Sequence, residues 1–263
     1  MEGEGILHET DSSLGGKGLR YAAILREVSK SFKNMKALRN LTLKVPQGKV
    51  FGLIGPNGAG KTTTLRILAT LVRHDSGYVE VLGMELPKMR VEVRKRIAYL
   101  PEDAGLYGRL TGWENLLYYA MIYAGKRRAE EVAMKGAEIS GLSEEDLNRK
   151  AHEYSKGMSR RVAIARALML EADLTILDEP TSGLDVVSSY SIRETIKDYV
   201  KRTGKAVIFT SHNLLEVEEV CDEVALIHQG RILDSGSASS LKSNYRARNL
   251  EEVFIKALGL AEA

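Results

Sequence analysis

Residues 54–68 read IGPNGAGKTTTLRIL, a glycine-rich turn carrying one lysine and three threonines between apolar runs. Gly55, Pro56, Asn57, Gly58, Ala59, Gly60, Lys61 and Thr62 match G-x-x-x-x-G-K-[ST] at every defined position. Glycines in such a turn let successive backbone N–H groups converge on phosphate oxygens, and the start of the following helix adds positive potential. In that cradle Lys61 reaches β- and γ-phosphates, the Thr62 hydroxyl can ligate Mg²⁺, and Thr63 follows in the same first turn. A bare strand-to-helix turn is the plainer alternative. Here the apolar run before the turn and the helical pattern after it supply the context that the phosphate motif requires.

A phosphate cradle needs an acid for its metal. Residues 174–179 read LTILDE, an apolar run ending in two carboxylates, so that Asp178 can act on Mg²⁺ and Glu179 can polarise a water for in-line attack. Paired acids at a strand end are also common in surface turns. The cradle upstream is what provides these two with a metal and a water to act on. His212 ends the run FTSH. A lone histidine is most often a satisfied surface or core residue, but the carboxyl edge of a parallel sheet is where α/β ligands gather, and there it can meet a γ-phosphate.

These groups must be held by a sheet. Short apolar runs at 22–25, 41–45 and 50–54 read as strands before the cradle, and TTTLRILATLV carries Leu65, Leu68, Leu71 and Val72 at helical spacing. A strand is expected at 78–82, then a charged, helix-rich segment over about 103–158, then strands at 174–178, 206–210 and 224–228. The Gln-Gly pair after the last of these predicts a hairpin into RILDSG. Helices between the later strands set the βαβ rhythm of a parallel sheet, with the helical segment inserted into it.

The bulk properties exclude several classes. The 263 residues suit one large domain or a core with a sub-domain. A formal net charge of +3 argues against an extended nucleic-acid stripe, and Cys221, the only cysteine, excludes an internal disulfide and fits a reducing compartment. Residues 1–20 lack the apolar core of a signal peptide and read as a mobile tail. No apolar run reaches the roughly 18 residues that a membrane span needs.

Taken together the motifs resemble the ATP-binding subunit of ABC transporters. Tyr154-Ser155-Lys156-Gly157-Met158 stands where that family has its LSGGQ signature, Ser182-Gly183-Leu184-Asp185 matches its D-loop, His212 its switch histidine, and Phe32 its adenine-stacking aromatic. The resemblance covers about residues 22–236. It implies an α/β fold: a RecA-like P-loop NTPase core, an antiparallel β sub-domain and an inserted helical sub-domain. The boundaries it implies are a nucleotide-binding domain over 21–236 and C-terminal helices over 237–263. It further implies ATP and Mg²⁺ as ligands, Asp185 among the nucleotide-binding residues, and a head-to-tail pair of chains in which Ser155 and Gly157 touch ATP bound on the partner chain. Multi-span membrane subunits would complete the transporter, placing this chain on the cytoplasmic face of the membrane.

Two positions depart from the family pattern. The signature has Lys156 and Met158 for Gly and Gln, and its helix start stays cationic and compatible with phosphate. Glu102, in YLPE, replaces the Q-loop glutamine; as a carboxylate it can still meet Mg²⁺ or a water, and it is expected to alter coupling more than it blocks hydrolysis. Both departures, with LEEVF at 250–254, resemble ATPases of type-2 ABC exporters, whose cargo is commonly drugs, lipids or polysaccharides. The rival reading is a soluble ABC-type ATPase acting on nucleic acid or ribosomes. Chromosome and repair members of that class carry long coiled-coil or zinc insertions and translation factors hold two cassettes, whereas here the insert is short and the cassette single, so no nucleic-acid partner is expected.

Overall fold

The computed structural model describes residues 20–262, so the expected tail, Arg20 apart, lies outside the described residues. Two long strands open the fold, β1 (Tyr21–Phe32) and β2 (Met35–Pro46), followed by β3 (Val50–Ile54), the glycine loop and α1 (Lys61–Leu68). Next come β4 (Ser76–Val81), β5 (Met84–Leu86), the short α2 (Arg90–Arg94) and β6 (Ile97–Leu100). A helical stretch holds α3 (Gly112–Ala124), α4 (Ala129–Ser140), α5 (Glu144–Asn148), a 3₁₀ turn and α6 (Lys156–Leu168). Alternation then resumes with β7 (Leu174–Leu177), α7 (Val186–Thr203), β8 (Ala206–Ser211), α8 (Leu214–Val220) and β9 (Glu223–His228). The chain closes with β10 (Arg231–Gly236), α9 (Ala238–Asn244) and α10 (Leu250–Glu262).

Local chemistry explains most boundaries. Thr111 and Glu114 form a reciprocal capping box at the start of α3, and Ser155, Asp185 and Asn213 cap α6, α7 and α8 by accepting N–H bonds from the first turn. The expected hairpin forms. Gln229 and Gly230 take φ values of +45° and +77°, the left-handed pair that a two-residue turn needs to match strand twist.

Two sheets result. The antiparallel one has the order β2-β1-β4-β5; the larger has the order β10-β9-β3-β8-β7-β6, parallel throughout except for the β10 edge. Alternating side chains face opposite sides of a strand. Phe51, Leu53, Ile176, Ile208, Ala225 and Ile227 therefore pack with α1 and the antiparallel sheet. Val50, Ile54, Leu177, Val207, Phe209 and Leu226 pack with α6, α7 and the C-terminal helices. A third cluster, including Leu116, Ala120, Val132 and Met169, joins α3, α4 and α6. The far end of α6 is held to α3 by Arg166, whose guanidinium lies 3.9 Å from the Tyr119 ring centre and donates to the Gly105 carbonyl.

Helix α1 is shorter than its apolar spacing predicts. It stops at Leu68, Thr70 turns left-handed with φ +62°, and Leu71 is exposed while Val72 packs on the core from outside the helix. The short strands β5 and β6 have no counterpart in the sequence reading. β5 is three residues long, and β6 lies at a sheet edge where its two middle residues, Ala98 and Tyr99, add little apolar contrast.

Candidate active site

Helix α1 starts where β3 ends, at the carboxyl edge of the large sheet. The turn between them passes so close to β9 that a Cβ on Gly55 would lie 2.1 Å from the Ile227 carbonyl oxygen, which only glycine avoids. Gly60, with φ +108°, cannot carry a side chain either: its Cβ would meet the Ala37 carbonyl at 2.8 Å. The loop is further tied to the β9–β10 turn by the Gly230 N–H, which donates to Ala59. No side chain caps α1. The unpaired N–H groups of its first turn therefore open onto a cleft of about 470 Å³.

Residues 56–63, Glu102, Glu179 and His212 all line this cleft. Lys61 is buried and donates to the Gly55 carbonyl at 2.6 Å, with Glu179 Oε1 3.2 Å from its Nζ. The other carboxylate oxygen, Oε2, is 3.0 Å from His212 Nδ1. Glu179 is thus held between a lysine and a histidine. Just beneath, Asp178 Oδ1 accepts from the Thr62 hydroxyl at 3.2 Å and from the Thr210 hydroxyl at 2.7 Å. Thr210 also accepts the Glu179 N–H at 2.9 Å, so one hydroxyl fixes both acids relative to β8.

The donor set at the Thr62–Asp178 contact is a hydroxyl and a carboxylate, hard oxygens of the kind Mg²⁺ takes beside phosphate and water. Nothing soft stands among them, and the pair fits that ion. Glu102 faces the same cleft, while its backbone carbonyl accepts from Arg160 at 3.0 Å.

Other predicted site residues lie elsewhere. Phe32 is at the tip of the β1–β2 hairpin with Lys30 Nζ 5.2 Å from its ring centre, and the antiparallel sheet meets the cleft through Met35, Lys36, Ala37 and Arg39. Ser155 lines a separate cleft that shares Glu102 and Glu179 with the first. Gly157 is buried against α7, and Asp185 caps that helix. Hydrogen bonds from the Ser188 hydroxyl and N–H hold the Asp185 carboxyl below the usual carboxylate range.

Sequence reading missed two residues. Thr210 lay inside a run read only as strand; a polar residue two positions before His212 in an apolar strand was the available signal. Arg160 sat unmarked beside Arg161 in a helical run, with nothing to single it out. Burial draws its guanidinium below the ordinary arginine value, against the opposing pull of Glu102 and Asp178.

A lysine-bearing phosphate loop between strand and helix, an acid pair at the end of β7, two strands away from β3 across β8, and a RecA-like parallel sheet define a P-loop ATPase. The profile of a family described as ABC transporter matches residues 38–182. The chain is 38% identical over 227 residues to the ABC transporter ATP-binding protein NatA of Bacillus subtilis (strain 168), covering 86% of this chain and 92% of that one. It is 37% identical to the bacitracin transport ATP-binding protein BcrA of Bacillus licheniformis, over 84% and 71% of the two chains. Among solved structures, an ATP-binding subunit of an ABC transporter superposes with a TM-score of 0.75 at 27% identity, over 90% of this chain and 99% of that one. The chain belongs to the ABC transporter family. The core, antiparallel sheet and helical insertion expected from the resemblance are the fold observed.

Proposed function

We propose that this chain is the ATP-hydrolysing subunit of a membrane exporter, working on the inner face of the cell membrane beside multi-span subunits and a second nucleotide-binding chain. The observation that carries the reading is the Lys61–Glu179–His212 line across the mouth of the α1 cleft, with Asp178 and Thr62 beneath it. ATP seats its phosphates on the first turn of α1. Lys61 then moves from Glu179 to the β- and γ-phosphates, and the freed Glu179 carboxylate takes a proton from the attacking water. His212 steadies the second carboxylate oxygen and faces the γ-phosphate. Thr62, Asp178 and Glu102 would hold Mg²⁺, which supplies neutralising charge to the triphosphate when bound.

In this reading Phe32 covers the base, and residues 21–236 form the nucleotide-binding unit with its helical insertion at about 103–158, followed by C-terminal helices over 237–263. Ser155 and Gly157 touch ATP bound on the opposing chain, and Asp185 is among the nucleotide-binding residues. Driving a dimer from 1:99 to 99:1 takes about 5.5 kcal/mol. Two shared sites each contributing a few charge-assisted hydrogen bonds of roughly 1.5–3 kcal/mol reach that figure. A relative in Mycobacterium tuberculosis, 38% identical over 206 residues, is named for fluoroquinolones export and favours an exporter; the motif resemblance to type-2 exporter ATPases adds drugs, lipids or polysaccharides as the cargo. Among the described residues no helix is long and apolar enough to cross a membrane, and in this reading the multi-span subunits supply the membrane path.

The test is a tagged pull-down from native membranes. Co-purification of a multi-span protein in an ATP-hydrolysing complex supports the proposal and nominates a cargo to assay; recovery of ribosomes or nucleic acid with the ATPase would transfer the function to a soluble member of the family.

A further inference from the structure

Glu179 has an unusual backbone. Its φ is +46°, in the left-handed region that a residue with a Cβ enters only when its surroundings hold it there. Thr210 holds its N–H, and one side chain from another element gathers the carbonyls on either side of it. Arg160, in the second turn of α6, donates from Nη2 to the Asp178 carbonyl at 3.0 Å and to the Glu179 carbonyl at 2.8 Å, and from Nε to the Pro180 carbonyl at 2.8 Å. Three consecutive carbonyls converge on one guanidinium. An extended strand would point them alternately to opposite sides, and the left-handed turn at Glu179 is what lets them converge. The same group donates from Nη1 to the Glu102 carbonyl at 3.0 Å, so it also gathers the segment that follows β6.

The N-terminal end of α6 lies close to the same stretch of chain in two more places. A Cβ on Gly157 would lie 2.3 Å from Ser188 Oγ, and one on Gly183 would lie 2.3 Å from Lys156 Nζ. Arg160 is the hydrogen-bonded link between α6 and Glu179. The neighbouring Arg161 points the other way and donates to the Ser140 and Gly141 carbonyls at the end of α4.

We propose that Arg160 is a positioning residue for hydrolysis: by binding the carbonyls of Asp178, Glu179 and Pro180 it sets the backbone that aims the Glu179 carboxylate, and it makes that aim depend on where α6 lies. This rests on the reading of Glu179 as the group that activates water. A lysine at 160 has a single nitrogen on a flexible stem and cannot span the planar fan of acceptors that a guanidinium spans. A misplacement of about 1 Å in a reacting group costs on the order of 100-fold in rate.

The experiment compares Arg160→Lys, Arg160→Gln and Arg161→Lys in the full chain, reading kcat, KM for ATP, equilibrium binding of a fluorescent ATP analogue and Tm. Both Arg160 variants should lose about 100-fold in kcat while KM and analogue binding stay within threefold, and Arg161→Lys should lower Tm with kcat held within twofold. Combined with Glu179→Gln, Arg160→Lys should cost nothing further, since the group it positions is gone. Fully additive losses, a kcat within twofold of the parent for Arg160→Lys, or failure of both Arg160 variants to fold would each overturn the proposal. If Glu179→Gln alone keeps full activity, the assignment of Glu179 falls and this one with it. If Glu179→Gln is inactive and Arg160→Lys is not, only the role of Arg160 falls.

Discussion

At the residue scale the site is self-neutralised. Lys61 and Glu179, both more than nine-tenths buried as side chains, face one another at 3.2 Å, and in the proposed reaction each is the group that the other must release when a triphosphate arrives. Binding of ATP therefore competes with an internal ion pair. Replacing Glu179 by Gln removes that competitor and the proposed proton acceptor together. We expect Glu179→Gln to lower kcat by about 10²–10⁴-fold, the usual worth of a general base. The same variant should bind ATP about tenfold tighter, equivalent to about 1.4 kcal/mol. Single-turnover hydrolysis and equilibrium titration with a fluorescent nucleotide measure the two effects separately. A variant that is slow but binds no tighter would mean that the Lys61–Glu179 contact does not oppose the nucleotide.

At the element scale the decisive contact is between α6 and α7. Gly157 is the point of closest approach, where a methyl group would sit 2.3 Å from an Oγ that Asp185 already holds at 2.7 Å. Overpacking of this kind costs about 1–3 kcal/mol, against at most about 1 kcal/mol gained from alanine's helix propensity. Gly157→Ala should therefore lose roughly 1 kcal/mol net, a fall of about 2–4 °C in Tm for a chain of this size. Gly105→Ala, where a Cβ meets nothing within 4 Å, is the matched control and should show no such fall. Elements of this type divide what the sequence could and could not reveal. The strands at 50–54, 174–178 and 206–210 were legible because they are buried on both faces and so read as unbroken apolar runs. The loop at 55–62 was legible because its glycines answer local demands, a positive φ or a passing backbone. Thr210 and Arg160 were not, because their roles exist only once β7, β8 and α6 lie side by side; each is ordinary in its own segment. Helix α1 was read too long because Leu71 continues its apolar spacing without contributing to the core.

At the scale of the whole molecule the two ends of the large sheet have different work. The carboxyl end carries the cleft, as open α/β sheets do. The amino end is stitched by charge: Asp173, just before β7, pairs with Arg96 before β6 at 2.8 Å and with Lys205 before β8, while Lys49 before β3 pairs with Glu223 of β9 at 2.6 Å. Burial pushes the Asp173 carboxyl up, but the bonds from Lys205 and Arg96 outweigh it and hold the group below its usual range. A carboxylate lowered in this way stabilises the fold above its unfolded pKa of about 3.9, and that stability is lost as pH falls through the folded value. Asp173→Asn should cost about 1 kcal/mol at pH 7, and it should flatten the acid limb of a stability-against-pH curve below about pH 4. An unchanged acid limb would remove Asp173 from the account.

The sole cysteine of the chain lies half-buried against the sheet. Cys221 Sγ lies so near β3 that a Cβ on Gly52 would come within 2.8 Å of it, and burial, with Asp222 and Glu216 adding to it, raises its pKa well above the ordinary thiol value. Since the thiolate is the reactive form, native Cys221 is a poor target for alkylating probes. A single new cysteine on the α6 cap or the β1–β2 tip, with an ordinary thiol pKa, should therefore take a fluorophore or spin label faster than Cys221 does.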